Sequence, residues 1–106
     1  MLPDSTEQRI LNRDESVYPV LMKQYWKIIW VICSSILKNV GTVQDIEECV
    51  ADVFIELWKS PEKFNPQRGD IAVFLKTIAR SRAKDVYRRL KPSLGTARFD
   101  EELGVG

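Results

Sequence analysis

Between positions 16 and 38 the chain is apolar nearly all round. Leu21, Trp26, Ile28, Ile29, Trp30, Val31, Ile32, Ile36 and Leu37 leave no consistently polar face. Such a helix carries too much apolar surface to lie on the outside of a domain, so it demands other elements around it. The remaining chain supplies them in the same form. Strand-type alternation is absent, and apolar residues elsewhere recur at three- and four-residue spacing. The fold class predicted is all-α: a compact bundle of three main helices plus a short N-terminal helix, with the 16–38 helix at its centre.

The joints follow from capping chemistry. Ser5 can cap a short first helix running to Asn12, with Glu7 in its first turn. The second helix tolerates Pro19 in its first turn and stops at Asn39 and Gly41. Thr42, with Asp45 three residues on, forms a capping arrangement for a third helix over 43–59. That helix places Ile46, Cys49, Val50, Val53, Phe54, Leu57 and Trp58 on one face. A loop with two prolines covers 61–69, and Asp70 caps a fourth helix over about 71–91. Pro92 ends it. Residues 1–91 thus read as one helical domain, and 92–106 as a linker or disordered tail.

A chain of 106 residues, 44% hydrophobic and 29% charged, has room for one domain with a core. It contains no His, and Cys33 and Cys49 form no CxxC pair, so no metal site and no cofactor is expected. Both cysteines sit among apolar neighbours and read as buried free thiols in a reducing cytoplasm. Met1-Leu-Pro-Asp-Ser has no apolar signal core, and the longest apolar run, 28–33, is too short to span a bilayer. A cytoplasmic domain with no membrane role is expected. There is also no Gly-rich phosphate loop and no Ser with a plausible base, so the chain does not read as an enzyme.

Charge carries the functional signal. The net charge is only +1, yet positions 74–91 hold seven Lys/Arg against one Asp. Lys76, Arg80, Lys84 and Arg88 recur every fourth residue and form one basic stripe, widened by Arg82 and Arg89. Like charges at this spacing repel by a few tenths of a kcal/mol per pair, so a neutralising partner is implied, most simply nucleic acid. Asp45, Glu48, Asp52 and Glu56 form the opposite stripe on the third helix. The helix N-terminus accounts for Asp45, Glu47 and Glu48. Asp52 and Glu56 lie beyond the first turn with no basic residue four positions on, which points to a protein-contact surface. Among the aromatics, Trp26, Trp30, Phe54, Phe74 and Trp58 fall on apolar faces. Phe64, in the loop before Arg68, can either cap the core or stack an unpaired base. Tyr87 can touch DNA or edge the core.

Taken together, Asp45-Ile-Glu-Glu-Cys-Val-Ala-Asp-Val-Phe-Ile-Glu-Leu-Trp58, then Phe64, then Phe74-Leu-Lys-Thr-Ile-Ala-Arg-Ser-Arg-Ala-Lys-Asp-Val-Tyr-Arg-Arg89 resembles region 2 of bacterial sigma factors, the extracytoplasmic-function branch above all. The likeness covers about residues 14–91. It implies a helical domain whose acidic third helix docks on the clamp coiled coil of core RNA polymerase. The loop and basic fourth helix would then recognise and melt the promoter −10 element, holding its non-template strand. By the same resemblance, the polymerase contacts fall on Asp45, Glu48, Asp52 and Glu56. The DNA contacts fall on Phe64, Arg68, Lys76, Arg80, Ser81, Lys84 and Arg88. An anti-sigma factor is a further implied partner. Ala51 stands where the family usually has Gln, Phe74 replaces the usual Trp, and Ser81 replaces a frequent Asn. The family's C-terminal helix-turn-helix domain, which reads the −35 element, has no counterpart after Pro92.

Two other readings use the same residues. A duplex-reading regulator would lay helix 71–90 in a major groove, but it wants a short turn before that helix, where 61–69 is long and proline-rich. A purely protein-binding helical module would use both charged stripes on protein partners.

Overall fold

The computed structural model describes residues 6–91, which form α1 (Thr6–Leu11), α2 (Val17–Leu37), α3 (Val43–Lys59), a single 3-10 turn (Pro61–Lys63) and α4 (Ile71–Leu90). Among the described residues there is no strand, and the all-α bundle of three main helices is the observed architecture. The expected Ser5 cap, the Pro92 stop and the tail over 93–106 lie outside the described residues.

Each junction is closed by a local hydrogen bond. The Thr42 hydroxyl accepts from the Asp45 backbone N–H (3.1 Å), while Asp45 Oδ2 accepts from the Thr42 N–H (2.8 Å), completing the capping box. Asp70 Oδ1 accepts from the Val73 N–H at 3.0 Å and opens α4. Between α1 and α2, Arg13 takes a left-handed conformation (φ 58°). There Asp14 accepts from Arg9 Nε (3.0 Å) and from the backbone N–H (3.0 Å) and hydroxyl (2.6 Å) of Ser16. Those bonds hold the Asp14 carboxyl below its usual range, the Ser16 hydroxyl contributing most.

The core is one cluster drawn from every helix. Leu21, Ile29, Cys33 and Leu37 of α2 meet Val50, Val53 and Leu57 of α3 and Leu75, Ala79 and Ala83 of α4, all fully or almost fully buried. Each large aliphatic side chain there contributes about 1.5–3 kcal/mol by burial. Cys33 and Cys49 are buried free thiols; donating its S–H to Cys49, together with burial, pushes the pKa of the Cys33 thiol up.

Two expectations need correcting. α2 packs on both α3 and α4, yet it is not enclosed all round: Val20, Met22, Ile28 and Val31 stay exposed. Two helices cannot cover a third completely, and nothing described lies over this side. By length and composition α2 is also apolar enough to cross a bilayer, with a mean hydropathy of 1.2, although it carries the exposed Lys23 and Lys27. Trp58, expected in the core, is 51% exposed. Leu57 beside it takes the buried position, and consecutive helical residues point about 100° apart.

Candidate functional site

The basic helix presents a groove rather than a plain charged ridge. Ile71, Leu75, Ile78, Ala79, Ala83 and Tyr87 turn inward. The opposite side then forms a shallow depression of about 370 Å³ lined by Thr77, Arg80, Ser81, Lys84, Asp85 and Arg88. Four residues singled out from the sequence, Arg80, Ser81, Lys84 and Arg88, therefore share one surface. Arg88 Nη1 reaches Asp85 Oδ1 at 3.3 Å, a weak exposed pair. Lys76 is half-buried and does not line this groove.

Thr77 also lines a second cavity, of about 300 Å³, where the loop meets the start of α4. Lys63, Asn65, Arg68, Val73 and Phe74 line it. The loop is shaped by its own backbone: Asn65 Oδ1 accepts from the Gln67 N–H (3.0 Å) and its carbonyl from the Arg68 N–H (3.0 Å). Gly69 then adopts φ 154°, and a Cβ there would sit 3.2 Å from the Cβ and Cγ1 of Val73.

Phe64 requires a correction. Its ring is 2% exposed and packs tilted against Phe74, centroids 5.4 Å apart. Both faces are committed to the core, so of its two readings the structure has the core cap. Among the loop groups that line the loop cavity with Arg68, Lys63 and Asn65 face solvent. Neither was singled out in the sequence, and a polar loop between prolines next to a basic helix was the only signal for them.

The acidic stripe of α3 is divided by its surroundings. Asp45 is committed to the capping box. Glu56 Oε1 accepts from both Nε (2.8 Å) and Nη2 of Arg82 on α4, and the Glu56 side chain is only 25% exposed. That bond raises the Arg82 pKa further, with Asp52 adding to it. Arg82 thus leaves the basic surface and Glu56 leaves the acidic one. Glu48 and Asp52 remain exposed.

Beside them opens an apolar cleft of about 440 Å³ between α2 and α3, lined by Glu15, Tyr18, Pro19, Met22, Ala51, Phe54, Ile55 and Trp58. Trp58 stacks on Tyr18, centroids 5.6 Å apart. No basic residue lines this cleft. Helical periodicity gave no hint of it: it placed Phe54 and Trp58 on the buried face of α3 and gave Tyr18, Met22 and Ile55 no role.

A family model for Sigma-70 region 2 matches residues 21–92, about two thirds of the chain. The chain belongs to the Sigma-70 region 2 family. That family comprises transcription initiation factors and not enzymes. This region 2 is also similar to an ECF RNA polymerase sigma factor, RpoE, of Cereibacter sphaeroides, with 28% identity over 78 residues. The match covers 74% of the chain and 41% of that relative, so the chain spans about two fifths of the length of the curated relative it matches. No solved structure matches it significantly. The matched residues include α3, the loop and α4, which carry the basic surface and one wall of the apolar cleft.

Proposed function

We propose that this domain binds core RNA polymerase through the α2–α3 cleft and its acidic rim, and recognises and melts the promoter −10 element with the loop and α4. The observation that carries this reading is the separation of two unlike surfaces on one small bundle. One is apolar, lined by Glu15 as its one charged residue, with the exposed Glu48 and Asp52 on the same helix as its α3 wall. The other is a basic groove that shares Thr77 with a loop cavity. An apolar cleft whose one charged lining residue is a carboxylate fits a helix bearing apolar and basic side chains, as expected of the clamp coiled coil. A groove that carries Arg and Lys with a side cavity fits a single strand whose backbone is neutralised while one base turns inward.

On this reading Arg68, Arg80, Lys84 and Arg88 touch backbone, and Lys76 adds positive field at the edge. Ser81 sits in the groove among them. Residues 1–91 act as the region 2 unit and 92–106 as the link that follows. The setting is the cytoplasm, where polymerase and promoter DNA are found, and an anti-sigma factor would compete for the apolar cleft.

The test is co-purification with core RNA polymerase, followed by titration with single-stranded −10 DNA. Glu48→Arg with Asp52→Arg is expected to abolish polymerase binding while leaving the helical circular-dichroism signal intact. With about four or five phosphate contacts, the log–log salt slope for single-stranded DNA should lie near −3 to −4. Unchanged polymerase affinity in the double variant would sink the docking assignment, and a salt-insensitive interaction would sink the DNA assignment.

A further inference from the structure

Three side-chain pairs mark how α2 and α3 run along each other. Tyr18 stacks on Trp58 and Trp26 on Phe54, with ring centroids 5.6 and 5.9 Å apart. The third pair is Cys33 and Cys49, whose thiols lie within hydrogen-bonding reach of each other. Residue numbers rise along α2 as they fall along α3, so the helices are antiparallel and the two cysteines face each other across their interface. Both are free thiols, fully or almost fully buried. Neither lines the apolar cleft or the basic groove.

We propose that Cys33 and Cys49 are a modification site: a dithiol that hydrogen peroxide oxidises to a disulfide bridging α2 to α3. The proposal rests on neither of the binding surfaces above. Its first support is the pairing itself. A buried cysteine alone behaves as a small hydrophobe, whereas a second thiol facing it gives an oxidised sulfur an immediate partner. Second, the two sulfurs are unequal. Cys33 donates its S–H to Cys49, and the guanidinium groups of Arg82 and Arg89 favour negative charge there, against burial and Asp52. Cys49 is thereby held below the ordinary thiol value while Cys33 is pushed above it, so Cys49 is the sulfur that ionises and attacks. Third, those charged neighbours reach solvent. Asp52 and Arg89 are exposed and Arg82 keeps 43% of its side chain in solvent, so Cys49 lies close beneath the surface.

The chemistry balances with peroxide as the oxidant. The Cys49 thiolate attacks one peroxide oxygen, the O–O bond breaks, and hydroxide leaves and takes up the proton that Cys49 released. Cys49 is then a sulfenic acid. The Cys33 sulfur attacks the Cys49 sulfur, an S–S bond forms, and the S–O bond breaks. The oxygen departs as water with the proton of the Cys33 thiol. The two thiols together lose two electrons, which the peroxide gains, and an external dithiol reverses the result. Burial governs the rate, because peroxide reaches Cys49 only when the helices part locally. The bridge closes the chain from 33 to 49 into a loop and removes freedom from the unfolded state.

The experiment exposes the full, reduced chain to hydrogen peroxide under native conditions, then unfolds it with a thiol-alkylating reagent present. Mass spectrometry should find a monomer lighter by two hydrogens, a linked Cys33–Cys49 peptide and no alkylated cysteine. The oxidised chain should keep its helical circular-dichroism signal and melt roughly 5–15 °C above the reduced chain, and dithiothreitol should remove the difference. Peroxide should leave Cys33→Ala with a sulfenic acid on Cys49 that dimedone captures, and should leave Cys49→Ala unlabelled. The reverse labelling would overturn the assigned order of attack. Two alkylated thiols in the peroxide-treated wild type, or a bridge found only between two chains, overturns the site. So does a bridged chain that melts no higher than the reduced one, since its disulfide would not fit the native α2–α3 interface. These wild-type readouts decide the proposal whether or not the alanine variants fold.

Discussion

Glu56 of α3 and Arg82 of α4 are 26 positions apart, and one carboxylate oxygen of Glu56 accepts from two nitrogens of that guanidinium. The bond ties the helix that carries the proposed docking surface to the helix that carries the proposed DNA groove. Arg82 keeps 43% of its side chain in solvent, so screening and side-chain entropy limit what the pair contributes. Glu56→Gln and Arg82→Gln should each cost up to about 1 kcal/mol in urea unfolding, and the double variant should show coupling of about 0.5 kcal/mol. Polymerase affinity should survive Glu56→Gln. A large loss of affinity without loss of stability would return Glu56 to the docking surface.

Trp58 is the side chain best placed to anchor a partner, being half-exposed, stacked on Tyr18 and at the edge of the apolar cleft. Interface aromatics of this kind often account for 2 kcal/mol or more of binding. Trp58→Ala should weaken binding to core polymerase about thirtyfold or more while lowering stability by less than about 1.5 kcal/mol. A fluorescence titration against core polymerase gives the first quantity, and thermal unfolding the second. Unchanged affinity would leave the cleft outside the interface.

For Phe64 the outcome depends on which variant is chosen. The buried ring supports both the loop and Phe74, so Phe64→Ala should cost about 3–5 kcal/mol, a large share of the stability of a small domain. Phe64→Leu keeps most of the buried volume but no aromatic face. Permanganate footprinting of a promoter bound by polymerase with this variant should show normal opening. Lost opening in a folded Phe64→Leu protein would mean that the ring leaves the core to stack on a base.

Asp14 makes the joint between α1 and α2 sensitive to acid. Its carboxyl titrates below the usual aspartate value, chiefly because of the Ser16 hydroxyl and then Arg9. The ionised form is therefore favoured by folding. Its contribution is complete above about pH 4, where the unfolded chain is also ionised, and is lost as pH falls through the depressed folded value. Asp14→Asn should be less stable than wild type at neutral pH, and the difference should shrink on acidification below about pH 4. A constant difference between the two melting temperatures from pH 7 to pH 2 would show that this carboxylate is not linked to folding.

Helix positions, caps and most of the core were legible in the sequence because each depends on neighbours within a turn or two. Thr42 and Asp45, Asp70 and Val73, and the periodic apolar residues of α3 and α4 are all set by spacing along a single helix. The sorting of charge between α3 and α4 was legible for the same reason. What spacing could not express was which charges meet across helices. Asp52 and Glu56 looked unrelieved because no cation lies four residues on. The cation of Glu56 is Arg82, which approaches only when α3 and α4 pack, and Asp52 adds only to the field that it feels. Periodicity likewise marks a face as apolar without saying how far its neighbours reach over it. Leu57 and Trp58 share that face, yet only Leu57 is covered, and the edge left open became the cleft. The cavity lined by Glu7, Gln8 and Leu11 of α1 and by Pro66 and Gln67 of the loop is the strongest case, since these residues are more than fifty positions apart in sequence and meet only once the bundle brings them side by side.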